Sequence, residues 1–149
     1  MYIQTKYLGD LEIDESKIIQ FSAGLPGFIN ETGFVLLDLP DNPVFQILQS
    51  VSTADTAFIV TNPYHIYRDY SFDLDNNLME SLAISNEKDV TVLTIVTLKS
   101  PFQASTLNLK APIIINPNHK LGKQYILNID DYPTKAPITQ GNPEKVKGE

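Results

Sequence analysis

The sequence predicts an all-β, mostly antiparallel fold: a single barrel-like domain with one or two short helices. Three observations lead there. Runs of β-branched and aromatic residues recur along the chain, each bounded by Gly, Pro, Asn or Asp, which is how strands and turns alternate. The runs leave too little room for the helices that repeated βαβ units would need, so a parallel sheet is disfavoured. A length of 149 residues with 42% apolar content suits one hydrophobic core.

Taken in order, strands are expected over 2–7, 11–13, 17–21, 34–38, 45–51, 56–61, 90–98, 104–109, 112–115 and 124–128. Leu11 and Ile13 alternate with Glu12 and Asp14, the pattern of a strand with one wet face. Val92 to Val96 is almost continuously apolar and predicts a central strand covered on both faces. One helix is expected, opened by Asp75 as N-cap, with Leu78, Met79 and Leu82 on one side; it is expected to plug an end of the barrel. The barrel domain is expected to span 1–130. From 131 to 149 the prolines and charges predict a flexible C-terminal tail.

Cysteine is absent, which excludes disulfides, thiolate nucleophiles and cysteine metal sites. The first residues carry charges every few positions and no long apolar run, so neither a signal peptide nor a membrane span is expected and the cytoplasm is the expected location. Asn30-Glu31-Thr32 matches a glycosylation acceptor by coincidence on that reading. The formal charge is −7 and is uneven: residues 1–75 hold eleven carboxylates against three basic side chains, while the second half is near neutral. Such a field repels phosphate backbones, disfavours direct nucleic-acid binding and steers basic proteins inward. On charge alone, simple solubility is the better explanation of the same imbalance.

Catalytic chemistry finds few candidates. His65 and His119, the two histidines, have no metal-ligand spacing. Gly122-Lys123 resembles the end of a phosphate loop but lacks the Ser or Thr and the first glycine. The pairs Glu12 with Asp14 and Asp130 with Asp131 have no partner motif, and solvated strand-edge charges account for them. No cofactor or metal is expected.

Two segments carry more information. In Phe21-Ser22-Ala23-Gly24-Leu25-Pro26-Gly27-Phe28 the glycines and Pro26 permit a tight reversal, with Phe21 and Phe28 as apolar pegs. Asn62 to Tyr70 places Tyr64, Ile66, Tyr67 and Tyr70 directly after an apolar strand. Those rings either form a surface patch for a protein or close the barrel.

Together with these, Thr5-Lys6-Tyr7-Leu8-Gly9, Leu48-Gln49-Ser50-Val51, Ala57 to Tyr64, Thr106 to Asn116 and Gly122-Lys123-Gln124-Tyr125-Ile126-Leu127 resemble the FliW family, in the family's order, from the N-terminus to about residue 128. Leu8, Ser22, Ile29 and Tyr125 depart from its usual pattern. Ile29 removes a charge beside the shaped loop. The resemblance implies a barrel-like fold and a non-catalytic regulator of flagellar assembly, monomeric on its own. Its implied partners are the RNA-binding translational repressor CsrA and flagellin, held in a partner switch. On that footing the candidate acidic surface is Asp10, Glu12, Asp14, Asp69 and Asp73. The candidate walls of a groove for a flagellin helix are Tyr64, Ile66, Tyr67 and Tyr70, with Phe28 and Ile29 as rim. A small hydrolase or ligand-binding barrel, with a pocket assembled from scattered residues, is the alternative.

Overall fold

A computed structural model describes residues 1–139. Strands β1 (Tyr2–Gln4) and β2 (Asp10–Glu12) form an antiparallel ribbon with Ile3 opposite Leu11. The remaining strands are β3 (Ile19–Gln20), β4 (Gly33–Leu39), β5 (Asn42–Ser50), β6 (Ala57–Thr61), β7 (Thr91–Thr97), β8 (Thr106–Leu107), β9 (Ile113–Asn116), β10 (Leu121–Gln124) and β11 (Ala136–Pro137). They build one sheet in the order β11-β8-β7-β6-β5-β4-β3-β10-β9, and β9 pairs back onto β7. The sheet therefore curls into the expected barrel-like form. All its pairings are antiparallel except the single contact between β3 and β10.

Strand alternation explains why the central strands read as continuously apolar. In β5 and β6, Leu48 and Val60 join one core with Phe21, Leu25, Phe34, Leu93, Ile113 and Ile115. Their neighbours Ile47 and Ile59 join another with Phe45, Tyr70, Val96, Leu107 and Ile138. Each strand is thus covered on both faces, and β7, paired with β6, β8 and β9, is the central strand predicted over 92–96.

Helix α1 (Asn76–Ser81) begins as expected, with the Leu78 amide donating to Asp75 Oδ1 at 2.8 Å. Its position differs from the expected plug. Leu78 and Leu82 pack with Ile114, whose neighbours Ile113 and Ile115 face the barrel core, so α1 covers the opposite face of β9. Asn116 secures it, donating from Nδ2 to the Leu82 carbonyl at 2.8 Å.

The strands expected over 2–7 and 104–109 contract to Tyr2–Gln4 and Thr106–Leu107, the one expected over 45–51 begins at Asn42, and three further boundaries move. Residues 15–17 form a 3-10 turn capped by Asp14, which shortens the strand expected over 17–21 to Ile19–Gln20. The strand expected over 124–128 lies at Leu121–Gln124, where Gly122 faces the ring of Phe21. The tail expected from 131 packs on the barrel through residue 139: β11 pairs with β8, and Ala136 and Ile138 are buried. The rest of that tail, 140–149, lies outside the described residues. No described helix is long and apolar enough to cross a membrane.

Candidate functional site

The Phe21–Phe28 segment folds as its glycines and proline require. The Phe28 amide donates to the Leu25 carbonyl at 2.7 Å, closing a turn with Pro26 and then Gly27 at φ 83°. That is the type II arrangement, which needs a residue tolerant of positive φ after the proline. Leu25 is buried in the core, Phe28 rests edge-on against Phe58 with ring centroids 5.4 Å apart, and Ile29 is 72% exposed.

Glu31 locks the loop's far end. Its carboxylate accepts hydrogen bonds from the hydroxyls of Ser50 at 2.5 Å, Thr53 at 2.7 Å and Ser52 at 3.1 Å. Those donors, Ser50 foremost, hold its pKa below the usual 4.5. Buried Gln49 ties in a third element: its Oε1 accepts the Lys6 amide at 3.0 Å, and its Nε2 donates to the Ala54 carbonyl at 3.1 Å. Because the folded pKa of Glu31 is depressed, its stabilisation is complete above the unfolded value and fades as pH falls through the folded one. Urea unfolding between about pH 6 and about pH 3 should therefore show a smaller loss of stability in Glu31→Gln than in the unaltered chain. Parallel pH profiles would show the clamp to be idle.

The aromatic segment resolves mostly toward barrel closure. Tyr70 is buried, donates from its hydroxyl to the Leu109 carbonyl at 2.7 Å, and meets Tyr132 edge-on at 4.7 Å. It is a core residue and not the surface wall expected. Tyr67 is half-buried, donates to the Pro137 carbonyl at 2.5 Å, and burial pushes its hydroxyl pKa up to about 12. It fastens the C-terminal strand. Tyr64 stays 38% exposed. Phe28 and Ile29 do not rim this cluster, because Phe58 lies near the start of β6 and Tyr64 follows its end.

Ile66 leads to the strongest surface feature. It lines an open apolar groove of roughly 600 Å³ with Leu39, Asn42, Val44, Phe45, Ile59, Leu98, Phe102 and Ile138. Leu98, Phe102 and Val44 are 52%, 47% and 41% exposed, and Phe102 stands edge-on to Phe45 at 5.9 Å. Exposed apolar residues gathered around a concavity are the usual mark of a docking surface. Its walls come from distant stretches, and of the predicted contact residues only Ile66 belongs to it.

All five predicted acidic residues are exposed. Asp10 and Glu12 lie on β2, opposite Gln4 and Tyr2, and Asp14 follows. The hydroxyl and amide of Ser16 lower the Asp14 pKa. Asp69 and Asp73 flank the Tyr70–Phe72 segment. Asp130 forms an exposed ion pair with Lys110 at 3.4 Å. Among the described residues no group of three or more His, Asp or Glu is placed to hold a metal. His119 lies 3.2 Å from the Asn116 amide, and His65 lines a surface recess with Tyr64 and Asn62.

Similarity to known proteins runs over nearly the whole chain. A family model described as "FliW protein" matches residues 2–138, through β11. The flagellar assembly factor FliW of Oceanobacillus iheyensis is 53% identical over 138 residues, covering 93% of this chain and 94% of that protein. Its counterpart from Bacillus subtilis (strain 168) is 46% identical over the same length, covering 93% and 96%. A crystal structure of the flagellar assembly factor FliW superimposes with a TM-score of 0.89 at 45% identity, covering 93% of this chain and 96% of the other.

Proposed function

The chain belongs to the FliW family of flagellar assembly factors, and on that premise we propose that it works in the cytoplasm, as a monomer without catalysis, by reversible capture of two proteins. One is the RNA-binding translational repressor CsrA, whose repression of flagellin synthesis it antagonises. The other is flagellin, which occupies the factor while it accumulates and releases it on export. The observation that supports capture is the exposed apolar groove of Val44, Ile66, Leu98 and Phe102. A groove of that kind suits the apolar ridge of an amphipathic helix, and flagellin's terminal helix is the proposed occupant.

The acidic half supports the antagonism. Unit charges about 10 Å apart in water interact by only roughly 0.4 kcal/mol before screening, so several carboxylates must act together to reach a coupling of about 1 to 3 kcal/mol. Asp10, Glu12, Asp14, Asp69 and Asp73 are the proposed contributors.

The test is calorimetric titration of the purified protein with CsrA and with flagellin, separately and in competition. Saturable binding of each, with mutual displacement, is the expected result; indifference to both overturns the reading. A variant with the five acids changed to Asn or Gln is expected to keep its dock on CsrA while releasing RNA less well. RNA release that is unchanged in that variant, or insensitive to salt, would assign the antagonism to steric or conformational blocking.

A further inference from the structure

A second groove, separate from the apolar one, has the opposite electrostatic character to the chain as a whole. About 540 Å³ in volume, it opens over half-buried Leu36 and the edges of Ile19 and Ile115, which otherwise belong to the barrel core, with Lys17 and Lys120 beside them. Ser16, Thr91 and Asn118 add hydroxyl and amide groups, and no carboxylate is among the lining residues. On a chain with a net charge of −7, the lining itself is a local reversal of sign, although Asp14 and Glu15 adjoin it on the turn that carries Lys17.

The backbone fixes both lysines. Lys17 closes the 3-10 turn, its amide donating to the Asp14 carbonyl at 2.9 Å. Lys120 sits at φ 55° and its carbonyl accepts the Gln20 amide at 2.8 Å. Neither is paired with a carboxylate: among the described residues the single salt bridge joins Lys110 and Asp130. The Lys120 ammonium donates to the Pro117 carbonyl at 2.5 Å, a neutral acceptor that an incoming carboxylate outcompetes. Asp14 is the carboxylate whose field reaches Lys17, and it is already engaged by the amide and hydroxyl of Ser16.

We propose that this groove is a docking site for an acidic peptide segment of a partner protein, one that sets apolar side chains on Ile19, Leu36 and Ile115 and carboxylates on Lys17 and Lys120. Charge complementarity selects the sign of the occupant and the apolar floor selects its side chains. The open groove, with the Thr91 hydroxyl and the Asn118 amide in its lining, suits a polypeptide, whose main chain needs polar partners.

Blocked synthetic peptides alternating glutamate with isoleucine, and counterparts with lysine or glutamine in place of glutamate, provide the probe. Amide chemical-shift mapping on the full chain is expected to show saturable shifts at Ile19, Leu36, Ile115 and Asn118 with the glutamate peptide alone, weakening as salt is raised. Lys17→Glu with Lys120→Glu should weaken that binding at least about tenfold, and Lys17→Arg with Lys120→Arg should restore it. Equal binding of the three peptides, shifts elsewhere, or charge-reversed variants that bind as well as the unaltered chain overturn the proposal. Decanoate is the remaining arm. If it saturates the same amides while the glutamate peptide does not, the groove belongs to a small anionic amphiphile and the peptide assignment is wrong.

Discussion

Gly24→Ala is expected to lower the stability of the fold by about 3 kcal/mol, far more than a surface glycine normally matters. Gly24 is buried at φ 67°, and a Cβ there would lie 2.6 Å from Ile29 Cα and the Phe28 carbonyl oxygen and 2.7 Å from the Ile29 oxygen. These are backbone atoms, so no rotamer change relieves the contact. The loop would have to lift from Phe58 and strain the bonds of Glu31 to Ser50 and Thr53. For a chain of this size the loss corresponds to a fall in Tm of roughly 10 °C. Gly27 is the control: it has φ 83° but nothing within 4 Å of a built Cβ, so Gly27→Ala carries only the conformational cost of about 1 kcal/mol. Thermal unfolding of the two variants separates the effects. A Gly24→Ala midpoint equal to that of Gly27→Ala would mean that the loop is not seated as described.

The strands were legible wherever one side-chain alternation fed two cores. Val92 to Val96 announced its central position because Leu93 and Val96 serve different clusters. Leu121-Gly122-Lys123-Gln124 gave no such signal. It pairs with β9 because Gly122 leaves room for the Phe21 ring, whereas the more strand-like Tyr125 to Leu127 reaches residues 110–112 through only two backbone bonds, Tyr125 to Pro112 and Leu127 to Lys110. The C-terminal stretch read as a tail because its prolines and charges hide the inward pair Ala136 and Ile138. That same segment decides the fate of the tyrosines. Tyr132 and Pro137 cover Tyr70 and Tyr67, a contact more than 60 residues apart in sequence that local composition does not carry. The shaped loop, by contrast, was readable from Pro26-Gly27, whose turn geometry is local. The apolar groove was not, since Leu39, Val44, Phe45, Ile59, Ile66, Leu98, Phe102 and Ile138 meet only after the sheet has curled.

Glutamate at both Val44 and Leu98 is expected to weaken the proposed flagellin contact by about 100-fold, equivalent to roughly 2.8 kcal/mol, while leaving the chain folded. Both side chains are already 41% and 52% exposed, so the free protein keeps a carboxylate at either position largely hydrated. An apolar helix ridge lowered into the groove removes that water and supplies no cation, and an unpaired charge desolvated at the centre of an interface costs several kcal/mol. Val44 stands on β5 and Leu98 just past β7, so the pair challenges two walls at once. Tyr64→Ala, outside the groove lining, should change the affinity little. Calorimetry with monomeric flagellin reads the difference, and binding of CsrA by the double variant reports whether the rest of the surface is intact. If the double variant binds flagellin like the unaltered chain, the groove is not its seat, although the capture reading stands. If the unaltered chain itself fails to bind, it is the partner that has been misidentified.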